Sequence, residues 1–343
     1  MSVHQLKETF RDSSGAEFLA RYSADQLKEM LRKMLLIRRF EESAEDSYTR
    51  GLIHGTMHLS IGQEASAVGM CLPLTESDYI TSTHRGHGHC IAKGADVKRM
   101  FAEFFGKETG YCRGRGGSMH IADVSKGNLG ANGIVGGGLP IAVGAALSIK
   151  KRGSQDVAMC FFGDGANNEG AFHESLNFAS IWNLPVVFVC ENNKYGMSMS
   201  VERSTAVKNI ADRAAAYNMP GFNVDGNSLA EVEAVSNEVV VRAREGKGPS
   251  LVVCDTYRWR GHSKSDRNRY RTREEMDEWA EKCPITRFEN WLLEKQVLQA
   301  SDIHHIKEAV EEEIRLGIEF AKSSEPPLTR DLTHFVYAEV PES

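Results

Sequence analysis

The sequence predicts an α/β fold, a doubly wound parallel sheet covered by helices, and three observations carry that prediction. Two continuous apolar runs, VAMCFF at 157–162 and VVFVC at 186–190, flank a segment in which Phe172, Leu176, Ala179 and Ile181 recur at helical spacing. Strands buried on both faces read as unbroken apolar runs, and a helix between two of them is the crossover that parallel pairing requires. The same rhythm returns in a helical pattern over 227–245 followed by LVVCDTY at 251–257.

The remaining elements follow in order. Residues 1–22 read as a loose arm. Ser23 with Gln26 three positions on forms a capping box, and the helix it opens turns Leu27, Met30, Leu31, Met34 and Leu35 to one side. The Gly- and His-rich text from 51 to 96 carries a helical signal only around 64–71 and otherwise reads as loops. The longest uncharged stretch, 129–149, approaches the ~20 residues of a membrane span. Its glycines at 130, 133, 136, 137 and 138, with Pro140, instead mark a loop entering a buried helix, Pro140 at the first helical position and Gly153 just past the end. From Arg258 to Arg273 seven basic residues stand against the single acid Asp266, the pattern of a mobile, solvated loop. Beyond it Ile303, Ile306, Val310, Ile314 and Ile318 keep helical spacing, and LTHFVYAEV at 332–340 reads as strand-like. This divides the chain into an arm (1–22), one α/β domain (23–325) and a tail (326–343), with no internal repeat.

Composition narrows the class. In 343 residues, 41% hydrophobic and 26% charged, there is enough apolar material for a large core, which excludes a disordered chain, a collagen or a rod. Forty-one Lys and Arg against 47 Asp and Glu leave a net charge of −6, which argues against a protein that coats nucleic acid. Seven scattered cysteines without a C-x-x-C pair fit reduced thiols, and the first residues lack the apolar core of an export signal, so a cytoplasmic location is expected.

Gly163-Asp164-Gly165, then 26 intervening residues, then Asn192-Asn193, is the most specific feature. Both segments come directly after a strand, and ligands of open parallel sheets bind beyond the carboxyl ends of strands. With neighbouring strands ~4.8 Å apart, the Asp164 carboxylate and an Asn193 amide oxygen can reach one hard cation. An all-oxygen site of that kind suits Mg²⁺ shared with phosphates. A helix beginning near Asn168 would aim its free N–H groups at a diphosphate. The plain alternative is a tight turn with Asp164 as a helix cap. GDGANNEG is also a near miss to the dinucleotide motif of nicotinamide-dependent dehydrogenases, but position 168 is Asn. His84, His87, His89 and Cys90 superficially form a zinc cluster, without the matching pair such a site needs.

GDG and NN at this spacing resemble the signature of thiamine diphosphate enzymes. GGSMHIAD at 116–123, GANGIVGGG at 130–138, ENNKYGMS at 191–198 and YRWRGHSKSD at 257–266 resemble, over nearly the whole chain, the alpha subunits of pyruvate and acetoin dehydrogenases. The resemblance implies a thiamine diphosphate-binding fold and an assembly of two alpha and two beta subunits. It implies acetoin cleavage or pyruvate decarboxylation to hydroxyethyl-thiamine diphosphate, then acetyl transfer to the lipoyl domain of an acyltransferase. A branched-chain 2-oxo acid is the alternative substrate. Asp164, Asn193 and the Tyr195 carbonyl would hold Mg²⁺, with Gly165, Ala166 and Arg85 at the diphosphate. Gly133 and Val135 would meet the aminopyrimidine, and Ile134 would wedge between the cofactor rings. His58 and His262 would be proton donors that position the lipoyl group. His84 stands where pyruvate-type relatives usually carry Tyr, which leans towards acetoin. Ser263 matches a serine that is phosphorylated in some eukaryotic relatives. The carboxylate that activates the pyrimidine is missing here and would come from the beta subunit.

Overall fold

The computed structural model describes residue 15 and residues 17–334. The start of the arm and positions 335–340 of the strand-like tail lie outside the described residues. Leu332 and Thr333 belong instead to a 3₁₀ turn, Thr329–Thr333. The described part of the arm is not loose: residues 17–21 are helical, and Phe18 is fully buried with its ring 5.9 Å from that of Trp291.

Among the described residues eleven α-helices and eight strands follow. Helix α1 (Ala24–Thr49) opens on the expected Ser23–Gln26 capping box and buries Leu27, Met30, Leu31, Met34 and Leu35. Helix α2 (Glu64–Cys71) leads to strand β1 (Tyr79–Thr83), then come α3 (His87–Ala92), α4 (Val97–Phe104) and β2 (Asn128–Asn132). A run of crossovers comes next: α5 (Gly138–Arg152), β3 (Ala158–Gly163), α6 (Gly170–Ile181) and β4 (Val186–Asn192). A small hairpin, β5 (Tyr195–Gly196) with β6 (Met199–Ser200), precedes the short α7 (Val201–Ser204). Strand β7 (Gly221–Asp225), α8 (Leu229–Arg244) and β8 (Ser250–Asp255) complete the sheet, and α9 (Arg273–Glu281), α10 (Pro284–Glu294) and α11 (Ala300–Ser323) close the chain.

The sheet order is β2-β1-β3-β4-β8-β7, with every pairing parallel. Alternate strand residues feed two cores, one on each face: Val157, Met159 and Phe161 join one, Ala158, Cys160 and Phe162 the other. That is why these strands read as continuous apolar runs. Filling both faces makes large-to-small changes expensive; Phe161→Ala would cost roughly 3–5 kcal/mol.

Several local expectations are corrected. Strands β1, β2 and β7 carry too few apolar residues to announce themselves; NLGAN in β2 is held by its register with β1. His87, His89 and Cys90 lie in helix α3, not in a loop. Helix α5 starts two residues before Pro140, ends at Gly153 in the left-handed region, and buries one side only, leaving Ile141 46% exposed. The turn after β3 continues as a 3₁₀ segment, Asp164–Asn168, so the α-helix begins at Gly170 rather than near Asn168. Ile181, expected inside, is 67% exposed.

Candidate active site

The strand order reverses around β1, which has β2 on one side and β3 on the other. A crevice opens at such a switch point, where successive connections leave in opposite directions. Five strand tips deliver side chains to it. His84 and Arg85 follow β1, Gly133, Ile134 and Val135 follow β2, and Asp164, Gly165 and Ala166 follow β3. Asn193 and Tyr195 follow β4, while Arg258 and His262 follow β8. With His58 from the loop after α1, the twelve residues that the resemblance assigned to cofactor, metal and catalysis, and Arg258 with them, line one cavity of about 360 Å³.

Asp164 is 3% exposed, and its Oδ1 accepts the Asn193 backbone N–H at 2.9 Å. Burial pushes the carboxyl above its usual range, opposed by that hydrogen bond and by the charges of Arg258 and Lys194. Among the described residues no Lys or Arg forms an ion pair with it. A buried carboxylate in this state gains from a cation. Gly165 and Gly196 face one another beside it: a Cβ on Gly196 would come within 3.3 Å of Gly165 Cα and 3.8 Å of Asp164 Oδ2. Asn193 Oδ1 accepts from Gln63 at 2.9 Å and Thr256 at 3.1 Å, while the Tyr195 carbonyl accepts from Arg258 at 3.0 Å. A cation at Asp164 would compete for those two oxygens.

Three imidazoles meet at the mouth. Ring centroids lie 4.5 Å apart for His58 and His84, 5.1 Å for His58 and His262, and 5.6 Å for His84 and His262. Burial and the nearby Arg85 hold them neutral, His58 lowered to about 2, His84 to about 3 and His262 to about 4. Arg258 donates to His262 Nδ1 at 3.0 Å, and because a guanidinium can only donate, the His262 proton sits on Nε2. His58 Nδ1 is sealed from solvent without a partner among the described residues. Neutral imidazoles of this kind can offer an N–H rather than an imidazolium proton.

The sequence grouping of His84, His87, His89 and Cys90 does not form. His87 faces Glu41 at 2.9 Å and the Ser118 carbonyl at 3.0 Å, His89 bonds Ser82 at 2.8 Å, and the Cys90 sulfur accepts from Asn128 at 3.2 Å. Arg85 is buried and spends its terminal nitrogens on the carbonyls of Leu59 (2.6 Å) and His262 (2.8 Å).

The basic loop departs most from its reading. Arg258 and Arg271 are 2% and 7% exposed; Arg258 also donates to Met197 O and Tyr270, and Arg271 to Arg260 O. Asp266 receives the Tyr270 hydroxyl at 2.6 Å and the His262 N–H at 2.8 Å. Two of the seven basic charges, Arg258 and Arg271, are thus internal ties, while Arg260, Arg267, Arg269 and Arg273 keep the exposed face that the sequence suggested.

Residues 32–329 match the dehydrogenase E1 component family. The chain belongs to that family. The E1 chain is 51% identical over 309 residues to the alpha subunit of acetoin:2,6-dichlorophenolindophenol oxidoreductase from Bacillus subtilis, covering 90% of this chain and 92% of the relative. It is 46% identical to the same subunit from Cupriavidus necator (91% and 94% covered) and 39% identical to the pyruvate dehydrogenase E1 component subunit alpha of Porphyra purpurea (89% and 91% covered).

Sequence reasoning missed other groups that line the E1 chain's cavity: Met119, Glu169, Glu191, Met197 and Arg258. Arg258 was visible within YRWRGHSKSD, but a run of charge gives no sign of which members fold inward. Gln63, which binds both Glu191 and Asn193, carries no sequence signal at all.

Proposed function

We propose that Asp164, Asn193 and the Tyr195 carbonyl hold Mg²⁺, and that Gly165, Ala166, Arg85, His84 and His262 receive the diphosphate of thiamine diphosphate beside it. The chain is the alpha subunit of a thiamine diphosphate-dependent dehydrogenase of the acetoin and pyruvate type. Acetoin is the substrate favoured by the two relatives at 51% and 46% identity. The observation that carries this reading is the convergence of twelve residues from six chain segments on one cavity at the strand tips.

The residues fit the cofactor. Asp164 offers a buried carboxylate without an ion partner, and the facing glycines leave open the space a side chain would fill. Bound there, thiamine diphosphate supplies a nucleophilic carbon and a sink for the electron pair released from the substrate. The protein's part is orientation and donation. Ile134, 74% exposed at the rim, is available to wedge under the cofactor rings, with the main chain of Gly133 and Val135 beside it. His262 and His58 donate neutral N–H groups to a substrate carbonyl and orient the incoming lipoyl group. No described helix is long and apolar enough to cross a membrane. The seven cysteines are unpaired, which fits the reducing cytoplasm expected for the chain.

A beta subunit completes the site, supplying the pyrimidine-activating carboxylate; the lipoyl domain of an acyltransferase is the second partner. The test is to assay acetoin and pyruvate with thiamine diphosphate, Mg²⁺ and an artificial electron acceptor. The purified chain should be silent and the chain mixed with its beta subunit active. Turnover by the chain alone would overturn the division of labour.

A further inference from the structure

A second cavity, about 280 Å³, lies near the amino end of β1, away from the strand tips that carry the catalytic groups. The ends of α2 and α3 and the turn before β1 form its walls. Lys33, Lys93 and Lys126 line it together with Val68, Leu72 and Leu74. Its charge is unbalanced. Lys126 pairs with Glu76 at 2.7 Å and also feels Asp123, while Asp78 is taken by Arg244. Lys33 and Lys93 form no ion pair among the described residues.

Their hydrogen bonds are also incomplete. Lys33 Nζ donates to Ala92 O at 3.4 Å, and Lys93 Nζ to Thr75 O at 2.8 Å and Glu76 O at 3.4 Å. An ammonium has three N–H groups, so two remain on Lys33 and one on Lys93. Helix carboxyl ends, which favour a cation, account for the contacts already made, since Lys93 ends α3 and Lys33 donates to its last carbonyl; the N–H groups left over share a hollow whose one lining carboxylate, Glu76, is already paired. We propose that this cavity binds a small phosphate-bearing anion, its oxygens between Lys33 and Lys93 and any short carbon body against Val68, Leu72 and Leu74. Tetrahedral phosphate offers acceptors in several directions, which suits two point charges arriving from α1 and from the residue just past α3.

The position gives occupancy a route to the active site. At its other end α2 begins beside Gln63 and Ser66, which bind Glu191 at 3.1 and 2.6 Å, and α3 carries His87 and His89 just after Arg85.

The test is calorimetric titration of inorganic phosphate into the chain assembled with its beta subunit, at constant ionic strength, with thiamine diphosphate and Mg²⁺ in excess. The expected result is saturable binding that weakens at least tenfold in Lys33→Met and is retained in Lys33→Arg, with circular dichroism confirming the fold. Absence of saturable binding overturns the proposal, as does binding undiminished in Lys33→Met, which would put the phosphate elsewhere, such as the diphosphate cradle. Lys93→Met gives a second reading from the other wall, just past α3. The proposal does not rest on the assigned catalytic activity: an assembly that binds phosphate through Lys33 but turns over no substrate would refute the function and leave this site standing.

Discussion

Arg258 and His262 are joined by a hydrogen bond of 3.0 Å from a guanidinium nitrogen to Nδ1, and the same nitrogen reaches the Tyr195 carbonyl at 3.0 Å. One side chain thus fixes the proton position on an imidazole and holds a proposed metal-binding oxygen. Arg258→Met should lower kcat/KM by about 10–100-fold, the loss expected for one or two hydrogen bonds to a charged group. Arg258→Lys should recover only part of this, because an ammonium cannot reproduce the planar fork. Steady-state kinetics on the assembled enzyme decide the matter, and equal activity in all three proteins would refute the role.

The histidine trio sets a pH dependence of stability. In the unfolded chain each imidazole titrates near its usual 6.5, whereas in the fold His262, His84 and His58 stay neutral down to about 4, 3 and 2. Below pH 6.5 the unfolded state therefore binds more protons than the folded state, and stability falls as pH falls. Denaturant midpoints should drop between pH 6.5 and 4.5, and the drop should be shallower in His58→Gln. Parallel curves for the two proteins would show that His58 does not titrate as described.

Asp164→Asn separates binding from folding. Removing a buried carboxylate that lacks an ion partner should leave the metal-free melting temperature unchanged or raised, since the variant no longer buries that charge. The same variant should lose the rise in melting temperature that Mg²⁺ with thiamine diphosphate gives the parent. A retained ligand-induced shift in Asp164→Asn would mean that the cation sits elsewhere.

Gly62 tests the seam between the loop after α1 and the segment after β8. Its φ is +99°, and a Cβ there would fall 2.4 Å from the Tyr257 carbonyl and 2.7 Å from the Trp259 ring. Gly62→Ala should destabilise by roughly 2–4 kcal/mol, as strain and overpacking combine. Chemical denaturation measures it, and a change below about 0.5 kcal/mol, the scale of an innocuous surface substitution, would show that the segment yields freely.

Gly196→Ala should act on the ligand more than on the fold. Its Cβ would enter the narrow space against Gly165 and Asp164 Oδ2, beside the proposed metal. Cofactor affinity should fall by about tenfold or more, on the order of 1.4 kcal/mol, with a small change in melting temperature. Unchanged cofactor affinity would remove Gly165 and Gly196 from the cradle.

Several features were fixed locally and could be read from one dimension. A strand buried on both sides must be apolar throughout, so β3, β4 and most of β8 were legible, as were the capping box at Ser23 and the stop at Gly153. GDG and NN were legible because they occupy strand ends, where a parallel sheet exposes its ligand-binding edge. Tertiary structure alone decided which polar residues turn inward. Strands β1 and β2 form because neighbours complete their hydrogen bonds, and their apolar content does not mark them. Arg258 is interior because the Tyr195 and Met197 carbonyls, 63 and 61 positions away, receive it, Arg271 because its own loop folds back to present the Arg258 and Arg260 carbonyls, and three histidines separated by up to 204 positions become one neutral cluster only when strand tips and a loop converge. Hydrophobic periodicity records burial of apolar side chains along the chain; the burial of a charge depends on partners that only folding brings near.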